Sequence, residues 1–311
     1  MAVLQPTLLD FQPVSIEDKK EYQHCLWSVA PRGCEYSFAN LFMWGEQRIA
    51  RIDAWYIIFS RFGNRYLYPY PVGEGDRRAA IDAVMADAAA RGIEWRFSGL
   101  LEEEKEELEQ LYPNRFDFVA NVGSFDYVYA IDDLADLTGR KYHGKRNHCK
   151  RFEDACPTYR VEPLTEENLL RAKAFCEQWY AVKQADNPEE DYRMEMLALE
   201  RAFANYGALE MDGLLLTAEG EVLAMTMGNR MTHDRFDVNF EKASADVQGA
   251  YAVINRAFAR YIREKYPEVC FLDREEDMGI EGLRRAKQSY YPHHQVIKYR
   301  AIPKEFSDHE N

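Results

Sequence analysis

The stretch Arg235–Asp277, RFDVNFEKASADVQGAYAVINRAFARYIREKYPEVCFLDREED, decides how the chain is read. Its first seven residues alternate: Phe236, Val238 and Phe240 face one way in a strand, and Asp237, Asn239 and Glu241 face the other. Ala250, Val253, Ile254, Ala257, Phe258, Tyr261 and Ile262 then recur at helical spacing along one apolar stripe. Val269–Leu272 follows as a short apolar run, the pattern of a buried parallel strand, and Cys270 inside it is expected in the core. The run opens into Asp273-Arg274-Glu275-Glu276-Asp277. The stretch therefore predicts strand, helix and parallel strand, with an acidic loop at the carboxyl end of the second strand.

Upstream, Leu169, Ala172, Cys176, Trp179 and Tyr180 mark one helix, and Met196, Leu199, Phe203 and Tyr206 the next. Leu214–Thr217 and Val222–Gly228 form a hairpin about Glu219-Gly220. Downstream, Ile280–Gln288 reads as a short helix and Gln295–Ala301 as the last strand. The order is strand, two helices, three antiparallel strands, helix, parallel strand, helix, strand, which is the order of the acyltransferase (GNAT) fold. The first half is also mixed α and β. Trp55–Phe59 and Arg65–Pro69 read as strands about a turn at Phe62-Gly63-Asn64, and Ile81, Val84, Met85 and Ala88 as a helix closed by Arg91-Gly92. Glu94–Phe97 gives a strand and Leu101–Tyr112 an acidic helix. Phe116–Ala120 and Tyr127–Ile131 read as paired strands about Asn121–Ser124. Between the halves, Gly139–Arg151 (GRKYHGKRNHCKR) carries six Lys or Arg and no acid, and reads as a helix ended by Cys156-Pro157. The expected organisation is residues 1–137, a basic linker helix over 138–156, and 157–311.

The length of 311 residues is comfortable for two cores, and 47% hydrophobic with 30% charged residues is ordinary globular composition. No uninterrupted apolar run approaches membrane-spanning length, and Met1–Leu9 lacks the pattern of a secretory signal, so a cytoplasmic protein is expected. The six cysteines are scattered without zinc spacing, and are expected to be reduced thiols. His293 and His294, as neighbours in a strand, should point to opposite faces and not share a metal; no metal site is expected. A net charge of −14 argues against a general polyanion-binding surface. The basic segment is the local exception: Lys141/Lys145 and Arg146/Lys150 stack at i, i+4 and suit RNA phosphates or anionic headgroups. A solvated linker that pairs with the acidic helix of the first half is the alternative.

Three features carry candidate chemistry. The polar face of the Asp237 strand needs a wet cleft or partners, unless it is a solvated edge. Gln248-Gly249-Ala250-Tyr251-Ala252 opens the long helix, where free amides and the positive dipole end suit a donor's phosphates; a plain glycine start is the alternative. The acidic loop sits where α/β sheets bind ligands. There Glu275 or Glu276 suits a base, or an anchor for a substrate ammonium, beside Asp273, Arg274 and Asp277. Solvated acids are the alternative. Tyr290 is the candidate acid for a leaving group, unless it is a packed ring, and Lys287 a substrate contact.

The stretches Lys141–His148, Gly249–Asn255 and above all Asp273–Lys287 (DREEDMGIEGLRRAK) resemble the uncharacterised bacterial family grouped with the phosphatidylglycerol lysyltransferase C-terminal domain. The resemblance runs over nearly the whole chain. It implies an α+β protein of two tandem acyl-CoA N-acyltransferase (GNAT)-like domains, as in the Fem peptidyltransferases, each a mixed, mostly antiparallel sheet flanked by helices. The first domain would be degenerate and the second would hold the active cleft. It further implies transfer of an aminoacyl group from charged tRNA, held partly by the basic helix, to a small-molecule, peptide or lipid-headgroup acceptor. No tightly bound cofactor is implied; aminoacyl-tRNA or acyl-CoA would be a co-substrate. The membrane-embedded half of the lipid-modifying enzymes is not in the sequence, and the Gln/Arg-x-x-Gly-x-Gly/Ala loop of coenzyme A-dependent relatives is not intact at Gln248–Ala252. A coenzyme A-dependent N-acetyltransferase and a non-catalytic binding protein are the other readings.

Overall fold

From Trp55 onward, alternation and helical spacing produce most of the elements expected of them, and the main departures concern which sheet a strand joins; the elements within 12–52 and the helix at Ile131–Asp136 carry no expectation. A computed structural model describes residues 8–29, 33–62 and 65–309. Of the turn expected at Phe62-Gly63-Asn64, Gly63 and Asn64 lie outside the described residues. In chain order the elements are β1 (Gln12–Pro13), α1 (Lys19–Ser28), α2 (Phe38–Met43), β2 (Glu46–Ile52), β3 (Trp55–Phe62), β4 (Arg65–Pro69), α3 (Arg77–Arg91), β5 (Phe97–Leu100), α4 (Glu102–Leu111) and β6 (Phe116–Ala120). There follow β7 (Asp126–Ala130), α5 (Ile131–Asp136), α6 (His143–Ala155), β8 (Arg160–Pro163), α7 (Leu169–Asp186), α8 (Arg193–Ala204), β9 (Asp212–Ala218), β10 (Glu221–Arg230) and β11 (Arg235–Ala243). The chain ends with α9 (Ala250–Lys265), β12 (Phe271–Asp273), α10 (Glu281–Gln288), β13 (His294–Val296) and β14 (Tyr299–Pro303).

Two seven-stranded mixed sheets result, ordered β1-β2-β3-β4-β5-β14-β6 and β13-β7-β12-β11-β10-β9-β8. Two compact units correspond to them, residues 1–125 with 296–311 and residues 126–295. The boundary thus differs from the one expected at 137. β6 and β7 do not form a hairpin: β6 pairs with β14, while β7 pairs with β12. Val128 and the rings of Tyr127 and Tyr129 are fully buried, so β7 needs a sheet covered on both faces, whereas β6 is largely exposed. The expected last strand is likewise two strands, β13 and β14, in different sheets. The segment 138–156, expected as a linker, contains a helix that belongs to the second unit: Cys149 and Phe152 of α6 lie in that unit's core with Val253 and Ile254 of α9.

In the first unit α3 lays Ala80, Ile81, Val84 and Ala88 on a core of Trp55, Ile57, Tyr68, Trp95, Phe97 and Phe116. Asp76 caps its start, accepting from the Ala79 amide, and Gly92 ends it in the left-handed conformation (φ +63°), which glycine adopts without steric cost. In the second unit α9 is the central helix, with Val253, Ile254, Phe258 and Ile262 packed on Phe236, Val238 and Leu272. Every strand pair of that sheet with a recorded register is antiparallel except β11–β12.

Candidate functional site

The parallel pair β11–β12 is short. Arg235, Phe236 and Asp237 align with Phe271, Leu272 and Asp273, and there the ladder stops. β11 runs on to Ala243, but the chain leaving β12 follows β7: the Arg274 amide donates to the Tyr127 carbonyl (3.0 Å), and the Tyr127 amide to the Glu275 carbonyl (3.1 Å). The two strands therefore fork after Asp237 and Asp273. The fork lies where the acidic loop begins.

A bulge in β11 shapes one wall. Phe240 aligns with Met227 and Asp237 with Asn229, so Val238 and Asn239 together oppose the single residue Gly228. The expected alternation does not survive it. Phe236 and Val238 pack with α9, but beyond the bulge Ala243 joins that same core, and Lys242 turns to the opposite side, where it pairs with Glu195 of α8 (2.6 Å). Asp237, Asn239 and Glu241 accordingly do not share one face: an extra residue reverses the sense of every side chain after it. Gly228 is required opposite the bulge, because a Cβ there would stand 1.9 Å from the Asp237 carbonyl oxygen.

Asp237, Asn239, Asp273 and Glu275 come together at the fork. Asp237 and Asp273 are cross-strand neighbours, both fully buried, and Arg235 lies 3.6 Å from the Asp273 carboxylate. The Asn239 amide nitrogen spans the fork, 3.1 Å from Asp237 Oδ2 and 3.4 Å from Glu275 Oε1. Glu275 itself has φ +57°, an uncommon conformation for a side-chain-bearing residue, and Asp273 accepts its amide hydrogen (2.9 Å). Arg274 bridges the opening to Glu241 (Nη2–Oε1 2.9 Å), and Glu241 also accepts from Asn255 of α9 (3.2 Å). Glu276 is half-buried in the same loop.

Other candidates are committed to architecture. The buried Asp277 carboxylate accepts from Tyr127 (2.7 Å), from Arg284 twice (2.7 and 3.0 Å) and from the Gly279 amide (2.8 Å), and Arg284 above all holds its pKa down to about 2. Lys287 is buried and donates to the carbonyls of Arg274 and Glu275, so it fixes the backbone of the loop that carries the fork residues. Gly249 (φ +91°) is needed for packing in its own right: a Cβ there would lie 2.4 Å from the His148 carbonyl of α6. Around it Gln248 and Tyr251 are exposed and Ala250 and Ala252 buried.

The basic helix is divided in its roles. Lys141 pairs with Asp133 (3.2 Å), Arg146 donates to the carbonyls of Leu137 and Gly139, and Lys150 is exposed. Lys145 turns inward: its Nζ donates to Ser289 Oγ (2.7 Å) and stands 3.7 Å from the centroid of the Tyr290 ring. Burial, seconded by the nearby Arg274 charge, lowers its pKa to about 8. Helical spacing placed Lys145 on a basic face, and only the packing of α6 on the second unit reveals it as a neighbour of Arg274 and Tyr290. Tyr290 is buried, and burial raises its pKa, so the phenol keeps its proton at neutral pH.

Two further expectations are corrected. His293 and His294 do not point apart; their Nδ1 atoms are 2.9 Å from each other, because the strand begins only at His294 and the backbone before it is not extended alternation. Cys270, expected in the core, is exposed, since it precedes β12 and lies outside its pleat. In the first unit a cavity of about 320 Å³ beneath α3 is lined by Met85, Ala88, Trp95, Phe116 and Phe306 among others. None of the candidate residues lines it. Among the described residues no helix is long and apolar enough to cross a membrane.

Comparison with known proteins agrees with this architecture. A conserved protein of unknown function from Bacteroides thetaiotaomicron is 34% identical, with a TM-score of 0.89 over 96% of this chain and 100% of that one. The C-terminal domain of a putative lysylphosphatidylglycerol synthetase from Agrobacterium fabrum has the same fold at 14% identity (TM-score 0.69, covering 93% of this chain and 92% of that one). So has FemX at 12% (TM-score 0.61, covering 96% and 98%). Both sheets are thus GNAT-like, in tandem. No protein of curated function matches in sequence. The family model for the C-terminal region of phosphatidylglycerol lysyltransferase matches residues 28–302, and the chain belongs to that family.

Proposed function

We propose that the second unit is an acyl- or aminoacyltransferase whose fork holds the reacting carbonyl, with charged tRNA as donor and an amine or hydroxyl as acceptor. The observation that carries this reading is the fork itself, where β11 and β12 part and Asp237, Asn239, Asp273 and Glu275 line the gap. The family name supports group transfer of a lysyl residue, and the names of the structural neighbours support an aminoacyl group as the cargo.

The chemistry needs no covalent enzyme intermediate. The acceptor nitrogen or oxygen attacks the ester carbonyl, forming the new C–N or C–O bond while the bond to the donor oxygen breaks. Glu275 takes the acceptor's proton, the Tyr290 phenol gives one to the departing oxygen, and the proton held by Glu275 then returns to the Tyr290 phenolate, so that both groups end as they began. Asp237 and Asp273 place carboxyl groups where the ammonium of an aminoacyl group would sit. Lys141, Lys145, Arg146 and Lys150 would serve the donor's phosphates from α6, and Gln248–Ala252 from the start of α9.

The test is a transfer assay with tRNA charged with labelled lysine, beside a thermal-shift series with coenzyme A, acetyl-coenzyme A and the charged tRNA. Stabilisation by charged tRNA together with loss of label from it to an acceptor amine or hydroxyl is the expected result. Stabilisation by micromolar coenzyme A with none by tRNA would replace this reading with a coenzyme A-dependent acetyltransferase, and binding without turnover of either would leave a binding protein.

A further inference from the structure

We propose that Lys145 and Arg274 together form an oxyanion-binding subsite beside the fork, taking a monoanionic phosphodiester or carboxylate carried by a substrate. Arg274 leaves the end of β12 and spends Nη2 on Glu241, but its Nη1 is buried with no hydrogen-bond partner among the described residues. A guanidinium cannot shed its proton, and a buried donor left without an acceptor is unfavourable. Lys145 comes from a different element, α6, and both cations converge on one ring: Lys145 Nζ lies 3.7 Å and Arg274 Cζ 5.1 Å from the Tyr290 centroid.

Charge selects the class of ligand. Lys145 and Arg274 are two positive charges against the single carboxylate of Glu241, so a monoanion balances the cluster and a neutral ligand does not. The groups facing Lys145 are Arg274 and Glu241, the Cys149 thiol on its own helix, the Tyr290 ring and the Ser289 hydroxyl. Its lowered pKa of about 8 follows from burial first and the Arg274 charge second, which together outweigh the opposing pull of Glu241. An anion bound between the two cations offsets the Arg274 charge, so binding takes up a proton near pH 8, and affinity falls as pH rises past that point. The inference rests on the fork reading only in assigning the anion to a substrate.

The experiment uses the full chain with 13Cε-labelled lysine, the Lys145 resonance being identified by its loss in Lys145→Met. Dimethyl phosphate and sodium acetate serve as probes and sodium chloride as control, at matched ionic strength. Either oxyanion should raise the Lys145 midpoint from near 8 by about one pH unit, a tenfold gain in proton affinity, and chloride should not. The stronger of the two oxyanions identifies the source as phosphodiester or carboxylate. Arg274→Met should abolish the shift. Should that variant fail to fold, Arg274→Lys, which keeps the charge without the second nitrogen, should retain less than about half of it. No shift, an equal shift with chloride, or an undiminished shift in the Arg274 variants would overturn the proposal. The transfer assay is a separate readout: an oxyanion-dependent shift without transfer would refute the transferase alone, and transfer without the shift would refute this subsite alone.

Discussion

Replacing Asp277 by Asn tests whether the acidic loop is held by the charge at its far end. The Asp277 side chain is inaccessible, receives four hydrogen bonds, and titrates near 2 rather than 3.8, chiefly because of Arg284. A displacement of that size corresponds to at most about 2.5 kcal/mol of preference for the charged form. Arg284 is one-third exposed, so solvent screening reduces the part shown as stability to about 1–2 kcal/mol. The sign follows from the direction: the folded pKa is depressed, so the contribution is present above the unfolded value near 4 and is lost as pH falls towards 2. Asn retains bonds to Tyr127 and Gly279 but not the ion pair. Urea unfolding of the second unit should therefore show Asp277→Asn weaker by about 1–2 kcal/mol at pH 7, with the gap narrowing steadily below pH 4. A difference under about 0.5 kcal/mol at pH 7, or one unchanged down to pH 3, would refute the argument that this ion pair anchors the loop.

Gly228→Ala should destabilise the second unit by about 3 kcal/mol or more, since the clash is with the backbone of Asp237, and wild-type-like urea unfolding would discount the bulge geometry. Gly249→Ala carries both a close contact with the His148 carbonyl and φ +91°, so a loss of about 2 kcal/mol is expected by the same measurement; a smaller loss than for Ala placed at the open, exposed Gly144 would remove packing as the reason for that glycine. Glu275→Gln should lower the rate constant for transfer about 10²–10⁴-fold while leaving binding of charged tRNA within a few-fold, and a variant of undiminished rate would take Glu275 out of the base role.

Much of the second unit was legible in the chain. The stripe on Ala250–Lys265, the apolar run before Asp273 and the hairpin of Leu214–Gly228 each carry their own period, and local periodicity is set by backbone geometry alone. The same periodicity misled where one residue was inserted: β11 reads as strict alternation, but the bulge opposite Gly228 sends Glu241 and Asp237 to different sides. It was also silent on partnership. β6 and β7 look like the arms of one hairpin, and the two ends of 294–303 like one strand, because a strand's sequence records how many of its faces are buried and not which edge it joins.

The sequence by itself determined most of the elements from Trp55 onward and their order, the family likeness and the acidic loop at the end of a parallel strand. Tertiary structure alone decided that this strand parts from its neighbour after three residues, that Asp277 and Lys287 brace the loop, and that Lys145 turns from a basic helix towards Arg274. The reason is one of range. Period and propensity act over a few residues, whereas the fork joins residues 36 positions apart, and the Tyr127–Asp277 bond 150 apart, where packing fixes the distance.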